Sequence, residues 1–191
     1  MYNLAARGIH QGIMGTRRQL QTLPHLCADA ARLVSDMEIE TDRGVALLAV
    51  AFLDDVLDVL LRASFVNDSE AVNRLIGPGR PLESFGSRAH ISYCMGLLGA
   101  DVYNDINLIR EIRNDFAHRQ PTNFEQGDIR LKCNKVRCVL PMLEGNDACT
   151  TRERFIASVV VIANHLIVQA SEQDHAAPAK SFSENGVLRL R

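Results

Sequence analysis

Apolar positions recur every three or four residues through most of the chain and nowhere alternate for the length of a strand, so the pattern predicts helices throughout. A first helix is expected over residues 17–35, disturbed at Pro24. Thr41 and Asp42 are good helix-start residues, and over 43–65 the chain is apolar on most sides, which predicts a long helix buried in the middle of the fold. Its only polar arc holds Asp54, Asp55, Asp58 and Arg62, together with the small residues Gly44 and Ala51. The breaker Gly77-Pro78-Gly79-Arg80-Pro81 separates a short helix at 69–76 from another at 83–98. Asp101 reads as the N-cap of a helix reaching His118, with Val102, Ile106, Ile109, Ile112 and Phe116 as its apolar stripe. A shorter helix is expected over 123–136. The last begins at Thr150, where Glu153 completes a capping box, and runs to about 173; the β-branched run Val159 to Ile162 lies inside that helical length. The expectation is an all-α bundle of six or seven helices packed around the 43–65 segment.

Length and composition fit one such unit. The 191 residues, 47% hydrophobic, suit a single domain over 17–173, with a loose leader at 1–16 and a flexible tail at 174–191 containing Ala, Pro, Ser and Asn. A net charge of -2, with Lys and Arg scattered among Asp and Glu, gives no broad footprint for nucleic-acid phosphates, so direct sequence-specific DNA binding is not expected. Five cysteines at irregular spacing suit reduced thiols, and the first twenty residues lack the apolar run of a signal peptide. The apolar stretches 44–53 and 155–163 are each short of a bilayer's thickness. A cytoplasmic protein without a membrane role is therefore expected.

Several residues invite chemical readings. Arg113 falls in the middle of its helix's apolar stripe, where an arginine needs a carboxylate, and Asp54, Asp55 and Asp58 on the central helix are the natural suppliers of a structural ion pair. His118 sits in the last turn, where a cation favours the dipole. On an ideal helix it lies about 140° from Arg113, beside Asn107, Glu111 and Asn114. Arg130, Lys132, Lys135 and Arg137 form the densest basic patch, either an ordinary solvated face or a contact for an acidic partner or RNA. Cys133 and Cys138 lack the second Cys or His pair of a structural zinc site, and the acidic cluster has a simpler counter-ion in arginine, so no metal is expected. The glycine-proline segment lacks the order of a phosphate loop, and no cofactor fingerprint is present.

The run from Asn107 to His118, Asn-Leu-Ile-Arg-Glu-Ile-Arg-Asn-Asp-Phe-Ala-His, together with Glu40-Thr41-Asp42-Arg43-Gly44, Leu53-Asp54-Asp55, Gly77-Pro78-Gly79 and Tyr103, resembles the mannitol operon repressor family over about residues 38–170. The resemblance implies an all-helical bacterial transcriptional regulator without a helix-turn-helix, often a homodimer, acting through protein partners. The same run is similar, more loosely, to the HEPN superfamily of helical domains, whose ribonuclease members carry Arg, a polar residue and then His; Arg113, Asn114 and His118 match. That second resemblance implies metal-independent RNA cleavage, with Arg113 neutralising the scissile phosphate and His118 moving a proton, usually at a dimer interface. The two readings are a non-enzymatic regulator and an endoribonuclease. A subunit with a purely structural role is a third.

Overall fold

The computed structural model describes residues 26–118, 122–138 and 149–178. Seven helices are present there, in the order α1 (Ala28–Ile39), α2 (Asp42–Ser64), α3 (Ser69–Asn73), α4 (Phe85–Cys94), α5 (Ala100–His118), α6 (Gly127–Lys135) and α7 (Thr151–Glu172). No strand longer than an isolated bridge occurs among these residues.

The central helix forms as its sequence dictates. The Thr41 side chain accepts a hydrogen bond from the Gly44 N–H at 3.1 Å, and ten residues of α2 are buried, from Val45 to Ser64. With apolar residues on most sides, α2 packs on α1, α4, α5 and α7 at once. The stripe of α5 does the complementary work: Ile106, Ile109, Ile112 and Phe116 are all fully buried. Phe124 packs at a tilt between Phe116, at a centroid distance of 4.8 Å, and Phe155, at 5.0 Å, closing the end of the core where α5, α6 and α7 meet.

Helix α7 starts on the expected capping box, with Thr150 and Glu153 bonding each other's backbone N–H. Its 22 residues, with a mean hydropathy of 1.5 over the most apolar window, make it longer and more apolar than residues 155–163 alone suggested, and long enough to cross a membrane. Here it is a core helix, with Phe155, Ala157, Val159, Val160, Ile162, Ala163 and Leu166 buried against its neighbours.

Several boundaries differ from the sequence expectation. Helix α1 continues past Ser35 to Ile39, and the earlier part of the 17–35 expectation lies outside the described residues. Asp101 is inside α5 and not its cap; its carboxylate accepts from the Val102 N–H at 2.9 Å. Helix α4 begins after Ser84, whose hydroxyl caps the Ser87 N–H at 3.1 Å, while Glu83 turns back to accept from Gly79 at 2.9 Å. It stops at Cys94 because Gly96, at φ 74°, reverses the chain and the Leu97 N–H returns to the Ser92 carbonyl at 2.9 Å. Helix α6 begins at Gly127 and not near 123, because residues 124–126 turn to bury Phe124. The 77–81 segment is the tight turn expected, with Gly77 and Gly79 at positive φ. Of the tail, Ala176 pairs with Val66 and its N–H bonds the Phe65 carbonyl at 3.2 Å, so it lies against the end of α2 there.

Candidate functional site

The acidic arc of α2 faces α4, and its counter-ion comes from there. Arg88 bonds Asp54 at 2.6 Å and approaches Asp58 at 3.5 Å, while Arg62 bonds Asp58 at 2.6 Å one helical turn on. The Arg88 side chain is only 11% exposed, so this is a mostly desolvated, mutually compensating cluster. Asp55 points outward and is exposed. The expected pairing of these carboxylates with Arg113 is therefore corrected: among the described residues no ion pair joins them, because the packing of α2 on α4 brings Arg88 to the arc first.

Arg113 is half-buried on the flank of the α5 stripe, Asn114 is exposed, and His118 is exposed as the last residue of α5. All three share one regular helix, which leaves Arg113 and His118 on different faces, as the periodicity implied. Of the polar stripe next to them, the Asn107 side chain donates to the Tyr103 carbonyl at 3.0 Å and Glu111 lies 3.4 Å from Lys132.

The basic patch divides in two. Lys132 turns toward α5, bonding Asp115 at 2.7 Å; that hydrogen bond, followed by the charges of Asp115 and Glu111, holds its pKa above the usual 10.5 against the opposing effect of burial. Arg130, Lys135 and Arg137 are exposed. With Asn134 and Leu131, which is 63% exposed, Arg130 and Lys135 make one arc along α6.

Where α6 ends, a buried acid takes over. Asp105 is 1% exposed, and one of its carboxylate oxygens accepts the backbone N–H of Arg137 at 2.9 Å and of Cys138 at 2.6 Å. It thereby fixes the chain leaving α6 against α5. The groove beside it, 840 Å³ in volume, lies among Asn104, Leu108, Asn134, Lys135, Arg137 and Arg154. A second junction ties the start of α7 to α1 and α2: Arg152 bonds Asp42 at 2.5 Å and the carbonyls of Met37 at 3.0 Å and Glu40 at 2.6 Å, while Asp42 also accepts from the Phe124 N–H at 3.2 Å.

Burial pushes the thiols of Cys133 and Cys138 up to about 12 and raises that of Cys149, so these groups stay protonated at neutral pH. All five cysteines are free thiols, and the described residues contain no cluster of three metal-ligating side chains.

Sequence reasoning missed Asp105, Arg88, Arg152 and Arg154. For Asp105 a signal existed: it stands three residues after Val102 and four before Ile109, an acid at core spacing. For the three arginines none did, because their partners or neighbours come from distant helices. The motif residues Thr41 and Asp42 acquire reasons here: Thr41 caps α2 and Asp42 holds the junction with Arg152, while the Gly44 N–H is the group the cap bonds. Tyr103 stacks on Tyr93 at 4.5 Å, and its hydroxyl meets His90 Nδ1 at 3.0 Å.

Comparison with known proteins places these features in a family context. The family described as Mannitol repressor (MtlR) matches residues 36–171. Among solved structures, the X-ray structure of the MtlR-HPr complex from Escherichia coli contains a similar chain, with a TM-score of 0.58 at 20% identity, covering 76% of this chain and 99% of that one. At that identity the likeness speaks for the all-α fold. Comparison with curated proteins finds no match.

Proposed function

Since the chain belongs to the mannitol repressor family, we propose that it is a cytoplasmic, non-enzymatic regulator of transcription, acting on carbohydrate-uptake genes through a protein partner and not by reading DNA itself. The observation that carries the reading is the family match over residues 36–171, from the end of α1 through nearly all of α7, including the motifs that build the Thr41 cap and the Asp42 junction. The partner we assign is an HPr-type protein, because the similar solved chain comes from an MtlR-HPr complex. The surface we assign to it is the outer arc of α6, where exposed Leu131 is flanked by Arg130 and Lys135, an apolar centre with a basic rim. The net charge of -2 and the absence of a basic recognition helix argue against operator binding by this chain alone. Self-association through Asn114 and His118, both exposed on α5, belongs to the same proposal and is checked by light scattering.

Calorimetric titration of the host's HPr into the purified protein tests it. Saturable binding that Leu131→Asp weakens is the expected result. Absence of binding, or a salt-sensitive gel shift of operator DNA by this chain alone, would overturn the reading.

The ribonuclease alternative keeps one specific observation in its favour: among the described residues no ion pair joins Arg113 to Asp54, Asp55 or Asp58, which leaves its guanidinium without those counter-ions. It requires metal-independent cleavage of single-stranded RNA by the parent protein, lost in both Arg113→Ala and His118→Ala while each stays folded. The separation of the two side chains on one helix argues against it.

A further inference from the structure

The groove between the first half of α5, the end of α6 and the first turn of α7 has an unusual charge balance. Lys135, Arg137 and Arg154 line it, and none of the three has a hydrogen-bonded or ionic side-chain partner among the described residues. The Nε of Arg154 is buried without an acceptor, a costly condition for a guanidinium donor. The one acid among the described lining residues, Asp105, is already held by two backbone N–H groups. Among those residues, three cations less one carboxylate leave a formal charge of +2 around a space of 840 Å³.

From this geometry we propose that the groove binds a small phosphate monoester. The dianion matches the +2 balance where a single carboxylate would not. Arginine forks bond phosphate oxygens in pairs, and Arg137 and Arg154 both line the groove. The primary amides of Asn104 and Asn134 add uncharged donors, and Leu108 and Val136 offer an apolar wall for the organic group of the ester. The inference goes beyond the partner-binding reading and does not rest on it: Lys135 is common to both surfaces, but Leu131 and Arg130 do not line the groove.

The test is calorimetric titration of phenyl phosphate and of inorganic phosphate into the full-length protein at constant ionic strength, with chloride as the balancing anion. Saturable 1:1 binding is expected, tighter for phenyl phosphate. Arg154→Gln should weaken it about tenfold or more, the scale of one charge-assisted pair. Arg137→Gln, at an exposed position, should weaken it several-fold and serves if Arg154→Gln fails to fold. Arg130→Gln, outside the groove, should leave it unchanged. Heat that tracks ionic strength alone, equal loss in Arg130→Gln and Arg137→Gln, or undiminished binding in a folded Arg154→Gln would overturn the proposal. So would a phosphoserine peptide binding at least tenfold more tightly than phenyl phosphate, since the natural ligand would then be a modified protein.

Discussion

The α2–α4 face and the α5–α6–α7 corner each contain arginines and aspartates, yet they resolve their charges in opposite ways. On the first, Asp54 and Asp58 are answered by the side chains of Arg88 and Arg62, so both carboxylates are neutralised by side chains, although the Arg88 Nε stays without an acceptor. At the second, Asp105 is answered by the backbone of residues 137 and 138, which leaves Lys135, Arg137 and Arg154 without a carboxylate among the described residues. A closed cluster holds helices together and offers little to a ligand. An acid engaged by backbone amides also holds the chain in place, but it leaves the neighbouring cations available for recognition.

The contrast breaks most visibly at Asp105. Asp105→Ala strands two partly buried N–H groups, each costing about 1–3 kcal/mol, so urea unfolding should show a loss of about 3 kcal/mol and rearrangement of the groove. A midpoint within experimental error of the parent would mean that the carboxylate does not organise the corner. Arg88→Ala should cost about 2 kcal/mol by the same measurement, below the ~3–5 kcal/mol of a fully buried pair because Asp54 and Asp58 are 29% and 25% exposed. Neutral behaviour there would dissolve the closed-cluster description.

A pH effect separates the buried thiol from both regions. The Cys133 thiol has its pKa raised in the folded state, from 9.0 to about 12, first of all by burial. The folded state therefore holds this proton more tightly: the contribution is fully present below pH 9.0 and is lost as pH rises toward about 12. Thermal melts across that window should fall less steeply in Cys133→Val than in the parent; identical slopes would contradict the burial. Smallest is Arg113→Ala, expected to change stability by less than about 1 kcal/mol, since no carboxylate depends on it. A loss as large as that of Arg88→Ala would restore Arg113 as the counter-ion.

The helices were legible in the sequence wherever local rules governed them. The α5 stripe, the Thr41 cap and the Thr150–Glu153 box depend on residues three or four apart, and each lies where the periodicity put it. Boundaries slipped where a tertiary demand intervened, as when burial of Phe124 delayed α6 to Gly127. The site was less legible because ion pairing between helices is a property of packing angle. Asp54 could be seen to need a cation, but Arg88, 34 residues away on a helix of modest amphipathicity, could not be preferred over Arg113. The basic patch likewise read as four equivalent cations, whereas folding withdraws Lys132 to Asp115 and brings in Arg154 from α7.

A footprint of the host's HPr on the isotopically labelled protein, read from amide chemical shifts, puts function and comparison to one test. The account predicts saturable shifts centred on α6, at Arg130, Leu131 and Lys135, with the amides around Asp54, Asp58 and Arg88 unmoved. Shifts centred on the α2–α4 cluster, or none at saturating HPr, would contradict it.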